Sequence, residues 1–475
     1  MQHADRSTML GTMEMRRLVP KISLPIMISM IVQALYNIVD SYYISQFDQN
    51  GLTAVSLAMP FQMLMIALST GMGTGLNSLI SRRLGERRSD DARRASWNGL
   101  LIECAGSVLF ILAGLFLAGP LMNLIVGGSL KNRVRILEMG TEYLSIVTTW
   151  STGLFAAIFF ERMLQSTGNS KASMAAQLCG AVTNIILDPI LIFGELGLEP
   201  MGITGAAVAT VIGQWLSAIV GIILNQKKNE ELKMNRRDFQ ISRRDILDII
   251  AVGLPSTIMA SIGSVMNVGM NAILSGFPEN NAGLNVMSVY FKLQSFIFMP
   301  VFGLANGIIA IIGYNYGARN RKRIYKCLKV ALIWAGTIMI IGTLVFAIFP
   351  DSLMSIYEQK GITDAETLLV TEQMNQIGPV AMRIICTNFI FAAVGITLST
   401  LFQAIGKGTY SMILSICRQL VILLPVAWLL SQLTGSVYDV WWCFPIAEIV
   451  SLFICLYYYR KCDRELIAPL DAKTA

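Results

Sequence analysis

The fold class is indicated first by the stretch "ISLPIMISMIVQALYNIVDSYYIS" at residues 22–45. As a helix it is long enough to cross a hydrocarbon core about 30 Å thick. Among its apolar side chains it nevertheless carries Gln33, Tyr36, Asn37 and Asp40. Residues three, four and seven positions apart share one face of a helix, so these four form one polar stripe. An acid inside such a span is expected to face a cavity or a partner and to serve a function.

The composition extends this interpretation to the whole chain. Of 475 residues, 54% are hydrophobic and 14% charged, and the mean hydropathy is +0.59. A soluble domain is typically about 25% charged. Apolar runs of about twenty residues recur from end to end. We predict an all-α integral membrane protein with twelve transmembrane helices, which begin near residues 21, 54, 95, 136, 172, 203, 246, 284, 325, 376, 409 and 438.

The distribution of basic residues predicts the topology. Most of the 37 Lys and Arg residues lie in the two tails and in alternate connections, whereas the other connections carry Lys131, Arg133, Arg135 and Lys360. Cytoplasmic loops carry an excess of Lys and Arg, so both termini are predicted to be cytoplasmic. We interpret the basic loops as topology signals, with no nucleic-acid partner.

The chain contains an internal repeat. The pair "LP" at residues 24–25 returns at 254–255, and Asn37 returns as Asn267. "GMGTGLNSLISRRLGERR" from Gly71 corresponds to "GLANGIIAIIGYNYGARN" from Gly303, and "QSTGNSKASM" corresponds to "QAIGKGTYSM". An even number of spans per repeat gives both halves the same orientation. We therefore predict two six-helix lobes related by a pseudo-two-fold axis along the membrane normal: an N-lobe (1–232) with helices 1–6 and the cation site, and a C-lobe (233–475) with helices 7–12.

The fifth predicted span, "GAVTNIILDPILIF", offers partners for Asp40. Asn184 and Asp188 lie on one helix face, and Pro189 releases a backbone carbonyl about one turn earlier. Two carboxylates, a carboxamide and a carbonyl form an oxygen-rich site for a proton or a small cation such as Na⁺. The next span adds Thr210 and Gln214. A purely structural role for the two aspartates, bonded to backbone or hydroxyl groups, stays open at this point.

The second half differs from the first at these positions. Met270 occupies the repeat position of Asp40, and "CRQLVILLPVAWLL", the counterpart of the fifth span, has no carboxylate. Ion coupling is therefore assigned to the N-lobe. Four charged residues inside C-lobe spans receive no role from the sequence: Lys292, Arg383, Arg418 and Glu448.

Two further features bear on the substrate and the chemistry. Methionine and aromatic side chains around an acidic cavity suit bulky organic cations. The candidate substrate-binding residues are Gln33, Tyr36, Asn37, Gln214 and Met270. The one histidine, His3, lies in the N-terminal tail, and the sequence contains neither an H-E-x-x-H nor a G-x-S-x-G element. We therefore predict no enzyme, no resident metal and no cofactor.

These motifs together resemble the multidrug and toxic compound extrusion (MATE) family, most closely its MepA-like bacterial branch. The matching elements are "LP" in spans 1 and 7, Asp40, "N-x-x-x-D-P" in span 5, and "MP-x-x-G-x-x-x-G" with "GYNYGA" in span 8. The resemblance covers about Leu18 to Arg460. It implies two lobes around a central cavity and a secondary active multidrug efflux antiporter, which exports organic cations in exchange for H⁺ or Na⁺ by alternating access.

The resemblance also implies specific ion-coupling residues. They are Asp40, Asn184, Asp188 and Thr210, with Thr204 as the alternative hydroxyl; Na⁺ would bind at the first three. Some family members use an additional Glu in span 7 and Asp in span 10, which this chain lacks. The resemblance implies a location in the bacterial cytoplasmic (inner) membrane, and we expect a monomer with the lipid bilayer and small organic cations as its partners. The alternative function is a flippase for a lipid-linked oligosaccharide or lipid, which would favour a strongly basic cavity.

Overall fold

The computed structural model describes residues 7–126, 132–235, 238–356 and 365–473, and within these ranges it contains helices and no β-strand. His3, Lys131 and Lys360 lie outside the described residues. Eleven described helices are long and apolar enough to cross a membrane, and a further pair, bent by 46°, forms a twelfth span when counted as one. The all-α membrane fold is therefore confirmed. Helices suit this environment because each satisfies its own backbone hydrogen bonds away from water.

The spans are numbered in chain order. The N-terminal half contains Met15–Phe47 (span 1), Gln49–Gly85 (span 2), Ser89–Phe116 (span 3), Arg133–Thr149 with Thr152–Ser166 (span 4), Ser170–Phe193 (span 5) and Ile203–Lys228 (span 6). The C-terminal half contains Arg243–Leu274 (span 7), Asn280–Gly317 (span 8), Arg321–Ile348 (span 9), Ala365–Ile385 with Phe389–Ala404 (span 10), Gly408–Ile416 with Leu424–Thr434 (span 11), and Val437–Val440 with Cys443–Cys462 (span 12).

Shorter elements join or interrupt the spans. Among the described residues, three α-helices lie outside the spans: Thr8–Thr12, Ala118–Ile125 and Pro350–Ser355. A 3₁₀ turn at Cys386–Asn388 interrupts span 10, and a π-helical segment at Cys417–Leu423 interrupts span 11. Each predicted start lies inside the corresponding helix. Most helices begin earlier than predicted, because hydropathy detects only the apolar part and the helices continue into polar sequence.

The turn after span 5 sets its relation to span 6. Span 5 ends at Gly194, which adopts a left-handed conformation (φ +75°) that glycine tolerates without steric cost. The chain then folds back, and the backbone N–H of Met201 donates to the carbonyl of Leu191 at 3.0 Å. Span 6 begins at Ile203, so spans 5 and 6 run antiparallel as direct neighbours.

The two halves of the chain meet through glycines. On span 2, a Cβ added to Gly71 would lie 2.8 Å from Cα of Thr257 on span 7. On span 8, a Cβ added to Gly303 would lie 2.6 Å from Cα of Met27 on span 1. Glycines at such crossings let helix backbones approach closely.

A second pair of glycines repeats this arrangement one turn further along each helix. A Cβ on Gly75 would lie 2.9 Å from the backbone nitrogen of Gly253, and one on Gly307 would lie 3.0 Å from Cα of Ser23. The contacted positions, 23 and 27 in one half and 253 and 257 in the other, are equivalent in the internal repeat. The span 2–span 7 and span 1–span 8 crossings are therefore two copies of one contact, as the pseudo-two-fold relation requires.

The basic connections gather at one end of the bundle, which we call the basic end. There Arg83 and Arg94, at the ends of spans 2 and 3, contact the buried carboxylate of Asp245 at the start of span 7, at 3.6 and 2.8 Å. Arg323, at the start of span 9, donates to the carbonyls of Leu10 and Met13 in the N-terminal segment. These contacts join both halves and the N-terminal segment, so the basic end is closed.

Gly75→Val should weaken the contact between the halves. The added side chain meets the backbone of span 7, including the carbonyl of Ile249, which cannot move without separating the two helices. We expect the free energy of unfolding to fall by about 1–3 kcal/mol, the usual cost of overpacking. The measurement is thermal unfolding of the purified protein in detergent. The control is Gly336→Val on span 9, where a Cβ meets no heavy atom within 4 Å. Equal melting temperatures for the two variants would contradict the crossing.

Candidate functional site

The candidate site is built where spans 5 and 6 touch. A Cβ on Gly213 would lie 2.8 Å from the carbonyl oxygen of Gly180, and one on Gly180 would lie 2.7 Å from that of Gly213. With no side chain at either position, the two backbones come into direct contact. The Cβ of Asn184 lies 3.3 Å from the same ideal Cβ position on Gly213. The close crossing thus places the side chain of Asn184 against span 6.

Asn184 links the two helices through hydrogen bonds. Its Nδ2 donates to Oδ1 of Asp188 at 3.3 Å and to Oγ1 of Thr210 at 3.4 Å. All three side chains are buried, and Asp188 has no exposed surface. The structure therefore brings together three of the four residues assigned to ion coupling. The hydroxyl that Asn184 contacts belongs to Thr210, which distinguishes it from the alternative, Thr204.

Asp40 reaches the same site from span 1. Its charge acts electrostatically on Asp188, and Tyr36 lies within electrostatic range of both carboxylates. None of the ion pairs found in the described residues includes either aspartate. Within the same ranges, Asp40 Oδ1, Asp188 Oδ2 and Asn184 Oδ1 are buried without a hydrogen-bond partner. Span 1 packs against span 5, so the two acids lie in one region of the N-terminal half, and no Lys or Arg among the described residues forms an ion pair with either.

Two residues of the site were not among the sequence predictions. Tyr143, on the first half of the bent span 4, is buried and donates its hydroxyl to Oε1 of Gln62 on span 2 at 3.3 Å. The hydroxyl of Tyr143 interacts electrostatically with Asp40, Asp188 and Tyr36. The available signal was a polar side chain inside an apolar span, the same signal that identified Asp40. Spans 1, 2, 4, 5 and 6 therefore all contribute to the site.

The residues assigned to substrate binding lie in different environments. On span 1, Gln33 and Tyr36 are partly buried and Asn37 is exposed. Gln214, one turn beyond Thr210, has a buried Oε1 with no hydrogen-bond partner among the described residues. Met270 lies fully buried in the larger hydrophobic core, which includes side chains from both halves. Tyr36 thus lies near the two acids, Gln33, Asn37 and Gln214 lie on spans 1 and 6 of the same half, and Met270 lies apart on span 7.

Two of the unassigned C-lobe charges compensate each other. Arg418, in the π-helical segment of span 11, donates from Nη1 to Oε1 of Glu448 on span 12 at 3.3 Å. A Cβ added to Gly395 on span 10 would lie 3.5 Å from the same carboxylate oxygen. Arg383 forms a more exposed pair with Asp351 at 3.6 Å. No group of three or more His, Cys, Asp or Glu residues suited to hold a metal occurs in the part of the chain that the structure describes.

Comparison with known protein families identifies the family to which the chain belongs. A family model described as MatE matches residues 25–190 and 255–429, which together exceed half of the sequence. The chain belongs to the MATE family of membrane transporters. It is thus a transporter and not an enzyme, as the sequence predicted.

Individual relatives match over almost the whole length. The chain is 25% identical over 438 residues to the multidrug export protein MepA of Staphylococcus haemolyticus (strain JCSC1435), covering 92% of this chain and 91% of that protein. It is 24% identical over 446 residues to the multidrug export protein MepA of Staphylococcus aureus (strain MRSA252), covering 93% of each. Both relatives belong to the branch that the sequence motifs resemble.

Solved structures establish the fold. A crystal structure of a MATE transporter in complex with MaL6 aligns with a TM-score of 0.88 at 24% identity, covering 99% of this chain and 100% of that one. A structure described as the outward-facing conformation of a multidrug resistance MATE family transporter aligns with a TM-score of 0.87 at 24% identity, covering 100% of both chains. The two-lobed MATE fold is therefore confirmed for this chain.

Gly213→Ala should disturb the site through the backbone contact alone. The new methyl group meets the carbonyl of Gly180, so spans 5 and 6 must separate and the Asn184–Thr210 hydrogen bond lengthens. We expect a loss of about 1–3 kcal/mol in the free energy of unfolding, measured by thermal unfolding in detergent. Gly263→Ala on span 7 is the control, because its Cβ meets its nearest neighbour at 3.9 Å. Unchanged stability in Gly213→Ala would show that the crossing is looser than described.

Proposed function

We propose that this chain is a secondary active multidrug efflux antiporter that exports organic cations in exchange for H⁺ by alternating access. The observation that carries the proposal is the pair of interacting carboxylates, Asp40 and Asp188, which have no Lys or Arg partner in the part of the chain that the structure describes. Membership of the MATE family supports transport, and the MepA relatives, described as multidrug export proteins, support the substrate class.

The carboxylate pair provides the coupling. Two like charges in a poorly solvated site repel each other, and a proton or one small cation bound between them relieves that repulsion. Asn184 donates to the span 5 carboxylate and to the hydroxyl of Thr210, and both residues supply further oxygen atoms. A bound cation shifts the transporter between conformations only if it binds one of them more tightly. Na⁺ at Asp40, Asn184 and Asp188 is the alternative coupling ion, since carboxylate and carboxamide oxygens are hard ligands.

The conformation described here fits one step of such a cycle. The lobes are in contact through the glycine crossings and, at the basic end, through Asp245. We infer that the basic end faces the cytoplasm, following the positive-inside rule, with both termini on that side of a bacterial cytoplasmic membrane. Drug would then bind from the cytoplasm when the lobes separate at this end. Loading of the cation in the closed-end conformation would release the drug to the outside.

The substrate class follows from the polar stripe on span 1. Exposed Asn37 and partly buried Gln33 offer carboxamide groups, and Tyr36 offers an aromatic ring close to both acids. An aromatic ring and nearby negative charge attract organic cations. A lipid-linked oligosaccharide would instead need uncompensated basic groups for its phosphates. The charge of Arg418 is offset by Glu448, which favours the cation exporter over the flippase.

Asp40→Asn and Asp188→Asn should each abolish drug-driven cation exchange without preventing folding. Each variant keeps the size of the side chain but removes one of the two negative charges that would hold the cation. The measurement uses everted vesicles made acid inside with a pH-reporting dye in the lumen. Ethidium is added to one sample and NaCl to another. We expect proton release on ethidium addition in the wild type and at least a tenfold slower release in both variants.

The control for this experiment is Glu195→Gln, an acid in the exposed turn after span 5. It should behave as the wild type does. A dye response only to NaCl would identify Na⁺ as the coupling ion. Normal proton release in both aspartate variants would refute the assignment of the site, and no response of the wild type to any organic cation would favour the flippase.

Thr210→Val should weaken cation binding without abolishing exchange. Valine has nearly the shape of threonine but removes the hydroxyl next to Asn184, and one hydrogen bond is worth about 0.5–1.5 kcal/mol. We expect the proton concentration at half-maximal exchange to rise by roughly two- to tenfold. The matched control is Thr204→Val, two turns earlier on the same helix, where wild-type behaviour is expected. If Thr204→Val shows the larger effect, the hydroxyl ligand is Thr204.

A further inference from the structure

Polar residues continue from the site toward the basic end on two facing helices. They recur at helical spacing on one face of each helix: Thr210, Gln214, Ser217 and Asn225 on span 6, and Asp188, Asn184, Gln177, Ser173 and Ser170 on span 5. The two faces meet next to the site, whereas Ser173 and Gln177 contact span 4 nearer the basic end. Asn184 hydrogen-bonds to Thr210, and a Cβ on Gly180 would lie 2.9 Å from Cβ of Ser217.

Several polar atoms on these faces have no partner within the described protein. They are Oε1 of Gln214, Oε1 of Gln177, Nδ2 of Asn225 and Oγ of Ser170, and all are buried. Ser170 and Asn225 are themselves almost completely buried. Buried polar groups are nearly always hydrogen-bonded to protein or to ordered water. Both faces therefore have the chemistry of a hydrated path between the site and the basic end.

Glu161 lies beside this path on the second half of span 4. It is 6% exposed, it accepts a hydrogen bond from Nε2 of Gln165 at 2.7 Å, and it is hydrogen-bonded by the side chain of Gln177. Nε2 of Gln165 also contacts Oγ of Ser173 at 3.1 Å. Gln177 lies eleven residues from Asp188, which corresponds to about 16 Å along the helix. The carboxylate of Glu161 thus adjoins the end of the polar path nearer the basic end.

The charges around Glu161 are few. Arg162 acts on it electrostatically and donates to Oε1 of Gln165 at 3.0 Å. Glu103, on span 3, also interacts with Arg162, and its own carboxylate accepts a hydrogen bond from Ser69 at 2.9 Å. From spans 5 and 2, the groups facing this cluster are the side chain of Gln177 and the backbone at Gly73. Glu161 is therefore the buried acid on the path, and Glu103 is a comparable buried acid away from it.

We propose that Glu161 is a second proton-binding group of the transporter, on the route between the Asp40–Asp188 site and the basic end. The inference rests on the proposed H⁺-coupled function. A proton leaves the carboxyl of Asp188, which becomes a carboxylate, and passes through water held by the amide and hydroxyl groups. It neutralises the carboxylate of Glu161, and its release to the aqueous phase at the basic end restores that carboxylate.

The same geometry explains why this route does not leak. Between the Asn184–Thr210 contact and Gln177, the backbones of spans 5 and 6 touch at Gly180 and Gly213. Neither glycine has a side chain that could hold a water molecule. The row of polar groups is therefore interrupted at this contact in the conformation whose basic end is closed. Proton passage to Glu161 then requires spans 5 and 6 to shift, which ties proton release to the conformational cycle.

The test uses the full-length protein in proteoliposomes, with ethidium as substrate and a pH-reporting dye. Glu161→Gln should bind ethidium within twofold of the wild type. Its ethidium-driven proton exchange should be at least tenfold slower, with a flatter dependence on the pH at the basic end. Glu161→Asp, which restores a carboxyl group, should recover part of the rate. Glu103→Gln, the matched control, should stay within twofold of the wild type in both measurements.

Each outcome decides the proposal. A wild-type rate and pH dependence in Glu161→Gln would overturn it, while loss of exchange in Asp40→Asn would leave the proposed function standing. Equal slowing in Glu103→Gln would also overturn it. A wild type that exchanges only Na⁺, or no cation, would remove the H⁺-coupled function on which the inference rests. If Glu161→Gln does not fold, Gln177→Met interrupts the path instead, and a wild-type rate in that variant would overturn the proposal.

Discussion

The N-lobe is organised around the cost of placing two carboxylates inside a membrane-spanning bundle. An acid in such a place needs a partner, water or a cation, and Asp40 and Asp188 have no basic partner among the described residues. The glycine contact between spans 5 and 6 lets Asn184 reach both Asp188 and Thr210. The lobe therefore holds Asp188 in position through a neutral group, which leaves its charge available to the proposed coupling ion.

In the C-lobe, by contrast, a buried acid is paired with a basic residue. Glu448 on span 12 stands at the repeat position of Thr210, because it follows Thr210 by the offset that separates "QSTGNSKASM" from "QAIGKGTYSM". Its charge is offset by Arg418, at 3.3 Å, within the helix that corresponds to span 5. An acid whose charge is already neutralised gains little from a proton or Na⁺. The two halves thus share a backbone plan and differ in electrostatics, which confines the proposed coupling to one lobe.

The sequence was sufficient for features that depend on spacing along the chain. Helix number, the repeat and the polar stripe on span 1 all follow from periodicity and length. The contact between Tyr143 and Gln62 was not predicted because it depends on how spans 2 and 4 pack. The bend in span 4 was not predicted either, because the sequence has no proline or glycine pair there. The sequence could not decide between Thr210 and Thr204 as the hydroxyl next to Asn184. That choice depends on how far span 6 is shifted along span 5, which the folded path of the loop between them determines. Met270 was assigned by repeat position, but packing places it inside the core.

The contacts that close the basic end suit an interface that must also open. Asp245 is fully buried between Arg83 and Arg94, so separating the lobes breaks two ion contacts and also hydrates three charged groups. For buried ion pairs the Coulombic gain and the desolvation cost are of similar size, so the net free energy of such a lock is small. The glycine crossings contribute mainly close backbone packing, which is forfeited when the helices separate. Span 1 carries both Asp40 and the positions that touch span 8, so the proposed cation site and the lobe contact are connected through one continuous helix.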